Sequence, residues 1–147
     1  MDYLETTLQE CISEIVEIGQ ESFEQFYSME KFLKRLENKE YWIYVAKDKK
    51  IAGFKIFYEN DDMQIYDWLD AVMPEYRRKG IASRLMKMEI DFARQNNYSK
   101  IKLKTHEGHS EMIALCNKFG FVEVGREPHH WIDSIDKEAI FLELILK

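Results

Sequence analysis

Apolar and polar positions alternate along this chain with periods that change several times, and each change marks an element. Residues 2 to 6 read as a short strand. Thr7 then offers an N-cap with Glu10 three residues on, a capping box. Leu8, Ile12, Ile15, Gly19 and Phe23 follow at helical spacing and predict an amphipathic helix over 8–25. Ser28 and Lys31 flank a second helix start, with Phe32, Leu33 and Leu36 on its apolar face. Tyr41 to Ala46, the turn Asp48-Lys49-Lys50 and Ile51 to Tyr58 read as a hairpin. After Asn60-Asp61-Asp62 a strand is expected from about Met63 to Met73. Beyond Pro74 the period turns helical, with Ile81, Leu85, Met88 and Phe92 on one face and an end near Asn96. Lys100 to Thr105 is a strand, and Ser110 is expected to cap a helix through Phe119 that Gly120 terminates. Phe121 to Val124 and Ala139 to Leu146 are expected as final strands, joined by a polar loop holding His129, His130 and Trp131. Four helices and about seven strands result: a mixed α/β domain with an antiparallel N-terminal part. At least one strand–helix–strand crossover requires a parallel pair within the sheet.

Composition narrows the class. The 147 residues fit one domain spanning 1–147, and 46% apolar content is enough for a core. A chain of this size buries roughly two-thirds of its unfolded surface, so folding needs no disulfide or metal. Cys11 and Cys116 stand far apart, which excludes a disulfide framework and favours a reducing, cytoplasmic setting. The opening MDYLETTLQE has no basic or apolar signal region, and no apolar run approaches the roughly 20 residues that cross a bilayer, so neither a leader nor a membrane partner is expected.

The net charge of −6 conceals two opposed segments. Through Glu30 there are eight acidic residues and no Lys or Arg. From Arg77 to Lys104 nine basic residues face only Glu89 and Asp91. Net acidity argues against a nucleic-acid partner, while the basic stretch has the character of a local anion seat.

That stretch opens at Val72-Met73-Pro74-Glu75-Tyr76-Arg77-Arg78-Lys79-Gly80-Ile81-Ala82-Ser83, where a strand turns tightly into a long helix. A helix start leaves N–H groups unpaired and favours negative charge, Gly80 permits close approach, and three basic residues surround it: a seat for a diphosphate. No Walker A loop or three-glycine dinucleotide fingerprint is present. In context the junction resembles motif A of the GNAT superfamily of acyl-CoA-dependent N-acetyltransferases, V-x-P-x-x-[RQ]-x-x-G-x-[GA]. It matches at Val72, Pro74, Arg77, Gly80 and Ala82. A second family motif, a short helix ending in K-x-G-F, is met by Lys118-Phe119-Gly120-Phe121.

The resemblance implies a GNAT-like fold and acetyl-CoA as co-substrate. It places the pyrophosphate on the backbone amides of Arg78, Lys79, Gly80, Ala82 and Ser83, with Arg77 in the motif and the main chain near Val72 pairing with the pantetheine arm. Basic side chains such as Lys79 or Arg84 would meet the adenosine phosphates. His109, where an Asn commonly starts the helix, joins this cofactor-binding set. The implied reaction is direct attack by an amine in a ternary complex. Many members carry a Tyr on the motif B helix to protonate the leaving thiolate, and Cys116 stands at that position here. Cys116 reads three ways: a buried thiol on the face of Met112, Leu115 and Phe119, a proton donor, or an acylated nucleophile without an adjacent base.

For a general base the candidates are Asp67 and Asp70 on one strand, and His106 and Glu107 at the end of the next. Asp67 and Asp70 have opposite parity, so only a bulge would bring them to one face. His106-Glu107-Gly108-His109 lacks the spacing of a helical zinc motif, and no metal is expected even with His129 and His130 added. In the family the acceptor lies among the first helices, the splayed strands and the final hairpin. Phe23, Phe26, Tyr27, Trp68 and Trp131 are candidate walls, and the acidic segment favours a small cationic amine: a polyamine, an aminoglycoside or a Lys-bearing peptide. Two other readings stand beside this: a non-catalytic acyl-CoA-binding or sensing module, and an acetyltransferase of protein N-termini or lysines. A homodimer is among the expectations, since dimers are common in the family.

Overall fold

The computed structural model describes residues 1–22, 26–131 and 134–147. Its strands are β1 (Asp2–Thr6), β2 (Tyr41–Lys47), β3 (Ile51–Glu59), β4 (Gln64–Val72), β5 (Lys100–His106), β6 (Val122–Trp131) and β7 (Ser134–Ile145). The helices are α1 (Leu8–Ser22), α2 (Met29–Leu36), α3 (Ile81–Gln95) and α4 (Ser110–Lys118), and a 3-10 turn covers Pro74–Tyr76. Local chemistry starts these helices where the periodicity placed them. The Thr7 hydroxyl accepts from Glu10 N–H (3.3 Å) and the Ser28 hydroxyl from Lys31 N–H (3.2 Å). Residues 23–25, which the pattern assigns to the end of α1, lie outside the described residues.

One seven-stranded sheet runs in the order β1-β2-β3-β4-β5-β7-β6. Its first four strands are joined antiparallel, β4 and β5 lie parallel, and β5-β7-β6 are antiparallel again. The parallel pair follows from chain connectivity, because α3 crosses over one face between β4 and β5. Two apolar cores result, one on each face. Phe32, Leu36, Phe54, Ile56 and Leu69 pack under α1 and α2. Phe57, Ile65, Leu85, Met86, Ile90, Ile101 and Leu142 pack under α3 and α4. Central β3 is buried from Ile51 through Tyr58, as a strand covered on both faces must be.

Two expectations are corrected. The polar stretch with His129, His130 and Trp131 is not a loop: β6 continues to Trp131 and pairs with β7 through Pro128↔Glu138 and His129↔Lys137. An edge ribbon needs backbone pairing but no apolar alternation, so its polar sequence reads as loop. In α4 the N-cap is His109, not Ser110, and its side chain makes no capping bond. Gly120 does end α4, at φ 91°, with Phe121 N–H returning to Cys116 C=O (3.0 Å).

Candidate active site

The site begins with one surplus residue. Ile56 pairs with Leu69 but Phe57 pairs with Asp67, so Trp68 is an extra residue bulged out of β4. A regular strand would put Asp67 and Asp70 on opposite faces, whereas the bulge puts both on the α3 face. It also marks where β4 and β5 part. They pair from Gln64↔Lys100 to Asp67↔Leu103 and no further, although each strand continues for several residues. The gap is a cleft of about 640 Å³, lined among others by Asp70, Val72, Arg77, Gly80, His106 and Met112.

The turn into α3 forms one wall. Arg78 (φ 63°) and Gly80 (φ 80°) both take the left-handed conformation, which is rare for Arg and natural for Gly. Gly80 is the N-cap, α3 has no side-chain cap there, and its first turn holds no acidic residue. The first helical bond is Arg84 N–H to Gly80 C=O, so the amides before it have no acceptor within the helix. A Cβ on Gly80 would meet nothing within 4 Å: the helix start faces open space. Arg77 is held back, its Nε donating to Val72 C=O (3.2 Å). Lys118 of the second motif donates to Ser83 Oγ (3.0 Å), joining the end of α4 to the start of α3.

On the cleft floor lies a group of charges that sequence reasoning missed in part. Lys55, opposite Asp70 in the β3–β4 register, has its side chain only 2% exposed. Its Nζ donates to Asp67 (2.7 Å) and Asp70 (2.9 Å) and lies 3.4 Å from Glu89 on α3. Burial works against the Lys55 charge, but the surrounding carboxylates, Asp67 foremost, outweigh it and hold the ammonium well above its ordinary range. Burial and then the charge of Glu89 push Asp67 up to about 6, with Lys55 opposing. Burial lifts Glu89 to about 7 against the pull of Lys55. Burial and Asp67 together lift Asp70 well above the carboxylate range. A signal for both missed residues was present: Lys55 interrupts the apolar run Phe54-Ile56-Phe57, and Glu89 occupies the apolar stripe of α3.

The other candidates separate clearly. Val72, Arg77, Arg78, Gly80, Ala82, Ser83, His109, Asp70 and His106 all line the cleft. Lys79 lies over the Tyr76 ring and Arg84 over Tyr3, and neither lines the cleft. Asp67 is buried behind the cleft wall. Glu107 faces β6 and β7, accepting from Glu138 N–H (3.2 Å) and pairing with Arg126 (3.7 Å). The His106 and His109 rings stack at 5.6 Å, and burial followed by His106 lowers the His109 pKa. Cys116 is buried in the α3–α4 core, outside the cleft lining, and burial, then the Asp67 charge, pushes its thiol up to about 12.

Across the bulge, Trp68 packs in tilted contact against Tyr27 (5.3 Å) and Phe32 (5.2 Å) under α2, and Arg35 lies over its ring. Phe26 joins this aromatic group through Tyr27. Phe23 and the Trp131 side chain lie outside the described residues. Glu10, Glu17, Glu21 and Glu30 are exposed and do not line the cleft. Among the described residues no group of three or more His, Cys, Asp or Glu is arranged to hold a metal ion. None of their helices is long and apolar enough to cross a membrane.

Comparison with known proteins adds to this geometry. The model of the acetyltransferase (GNAT) family matches residues 6–121. No curated protein matches the chain. Among solved structures, the ribosomal-protein-S18-alanine N-acetyltransferase from Escherichia coli superposes with a TM-score of 0.87 at 20% identity, over 99% of this chain and 94% of that one. An IAA acetyltransferase from Bacillus cereus gives 0.79 at 18%, over 99% and 100%. The yncA protein from Salmonella typhimurium, solved with its cofactor acetyl-CoA, gives 0.80 at 17%, over 99% and 94%.

Proposed function

The chain belongs to the acetyltransferase (GNAT) family, and on that premise we propose that it transfers the acetyl group of acetyl-CoA to a primary amine by direct attack in a ternary complex. The observation that carries this reading is the meeting, in one cleft, of an uncapped helix start, a released strand edge and a carboxyl able to exchange a proton. The seat fits acetyl-CoA: open space stands over Gly80, no acidic residue lies in the first turn of α3, and β4 beyond Asp67 has no β5 partner. Arg78, Gly80, Ala82 and Ser83 would hold the pyrophosphate through backbone N–H groups, and the main chain near Val72 would hold the pantetheine arm. His109 borders the same cleft. When bound, acetyl-CoA supplies an activated thioester. One sheet runs from β1 to β6, which supports reading residues 1–147 as a single catalytic domain.

The protein's remaining tasks concern protons. An amine attacks only when neutral, so a base must take a proton from its ammonium form. Asp70 and His106 border the cleft and are the groups we assign to that exchange. Cys116 we read as packing, since its thiol is buried in the core and held protonated. We propose a small cationic acceptor, drawn by exposed Glu10, Glu17 and Glu21 of α1 and Glu30 of α2. Free Cys11 and Cys116, both buried, support a cytoplasmic setting.

The test is release of free CoA thiol from acetyl-CoA across polyamines, aminoglycosides, Lys-bearing peptides and peptides with free N-termini. Turnover with small polycations supports the proposal. Turnover confined to peptides moves the acceptor to protein N-termini or lysines, and acetyl-CoA binding with no turnover makes the chain a sensing module.

A further inference from the structure

Glu89 occupies a position where an apolar side chain would pack at no electrostatic cost. It lies in the buried stripe of α3 with Leu85, Met86, Ile90 and Ala93, fully inaccessible to solvent. It faces Lys55, which in turn bonds Asp67 and Asp70. The four groups thus form a connected set running from the middle of α3, across β3, to β4. Only one of the three carboxyls opens on the cleft: the Asp70 side chain is 26% exposed, against 1% for Asp67 and 0% for Glu89. Asp67 and Asp70 each accept from the same Lys55 Nζ, while Asp67 Oδ1, Asp70 Oδ1 and both Glu89 oxygens are buried without a hydrogen-bond donor. A proton kept on one carboxyl is the donor such oxygens lack. One cation facing two buried carboxyls and a third that is only partly exposed leaves the set short of positive charge unless it retains protons.

We propose that Lys55, Asp67 and Glu89 are positioning residues that hold and share a proton with Asp70, and that Asp70 is the group through which this set exchanges a proton with the acceptor amine. The proposal deepens the acetyltransferase reading and rests on it for the amine. The acceptor ammonium gives one proton to a carboxylate oxygen of Asp70, forming O–H as N–H breaks. The freed nitrogen lone pair forms the C–N bond to the acetyl carbon as C–S breaks, and its electron pair stays on sulfur. A second proton from nitrogen neutralises the sulfur, and the proton held at Asp70 passes to water, one per turnover. Sharing among three carboxyls spreads that proton over a set whose charge Lys55 anchors, and Glu89 ties it to the helix whose first turn borders the same cleft. The groups facing Asp70 are Lys55 from β3, Asp67 from its own strand, Glu89 from α3, and His109 and Cys116 at α4, with His106 of β5 on the same cleft.

Glu89→Gln keeps the side-chain shape and removes one charge, so it tests the coupling directly. In the protein without substrate, 13C-carboxyl NMR should show the Asp70 midpoint falling by about one pH unit in this variant, because a like charge has been removed. With acetyl-CoA and an accepted amine, the ascending limb of the kcat/KM profile should move the same way while KM for acetyl-CoA stays within about twofold. Lys55→Met should move the midpoint upward and lower kcat at neutral pH by about 100-fold, with circular dichroism reporting its fold. An Asp70 midpoint unmoved in Glu89→Gln overturns the shared proton, whether or not the Lys55 variant folds. That titration needs no turnover, so an inactive amine panel counts against the transferase reading alone.

Discussion

The two halves of β4 lie on either side of Trp68 and behave as different materials. From Gln64 to Asp67 the strand pairs on both edges, and Ile65 packs into the α3–α4 core. From Leu69 to Val72 it keeps β3 on one edge and gives up β5 on the other. The first half is scaffold, with its backbone groups spent within the sheet. The second presents a free edge beside the start of α3, and the single extra residue between them also swings Asp67 and Asp70 onto one face. One bulge therefore opens the cleft and assembles the charges at its floor. The cleft is made here by withholding pairing rather than by adding a structure.

The comparison can be broken most severely at Lys55. Lys55→Met strands buried Asp67 and Glu89 and partly exposed Asp70 without a cation, and should cost about 3–5 kcal/mol in urea unfolding. A milder variant on the scaffold side, Ile65→Ala, should cost about 2–4 kcal/mol while leaving acetyl-CoA affinity unchanged. Next comes pH. Asp67 is held up to about 6 and Glu89 to about 7. Between the ordinary carboxyl range near 4 and about pH 7, the folded chain therefore binds more protons than the unfolded one. Stability should fall as pH rises through that window, by up to roughly 1.4 kcal/mol per pH unit for each extra proton held. A melting temperature that rises from pH 4.5 to 7 would contradict this, and Glu89→Gln should flatten the slope. On the open side, Gly80→Ala forces a Cβ into a left-handed conformation at a cost of about 1–2 kcal/mol, and should raise KM for acetyl-CoA more than it lowers kcat. The smallest effect is expected at Cys116→Ala: about 1 kcal/mol of stability and turnover within about threefold. A loss of several hundredfold in kcat with the fold intact would return Cys116 to the chemistry.

How much of this was legible beforehand depended on the range over which each residue acts. Thr7, Ser28, Gly80 and Gly120 act within a turn of themselves, and their positions gave away the ends of α1, α2, α3 and α4. Motif A and the K-x-G-F ending are equally local, and they pointed to the family that the match over residues 6–121 shows. The polar continuation of the ribbon, 125–131 of β6 and 134–138 of β7, escaped because its partner is another strand rather than a core, so no apolar alternation announces it. Lys55 and Glu89 escaped for a related reason. Their positions in an apolar strand and an apolar helix stripe read as core, and only partners on other elements, Asp67 and Asp70 for Lys55 and Lys55 for Glu89, make a buried charge tolerable there. Asp67 and Asp70 were both visible as candidates, but parity could not settle their shared face until the Trp68 bulge did.

Sequence alone determined the order of helices and strands, the crossover that makes β4 and β5 parallel, and the family motif in the turn from Val72 to Ser83. These follow from periodicity and from short-range capping, which a linear pattern records. Tertiary structure alone decided that β4 leaves β5 at Asp67, that Cys116 is core while Asp70 faces the cleft, and that one lysine gathers three carboxyls from two elements. Register, burial and charge pairing belong to residues distant in the chain, and their energies exist only once the sheet has brought them together.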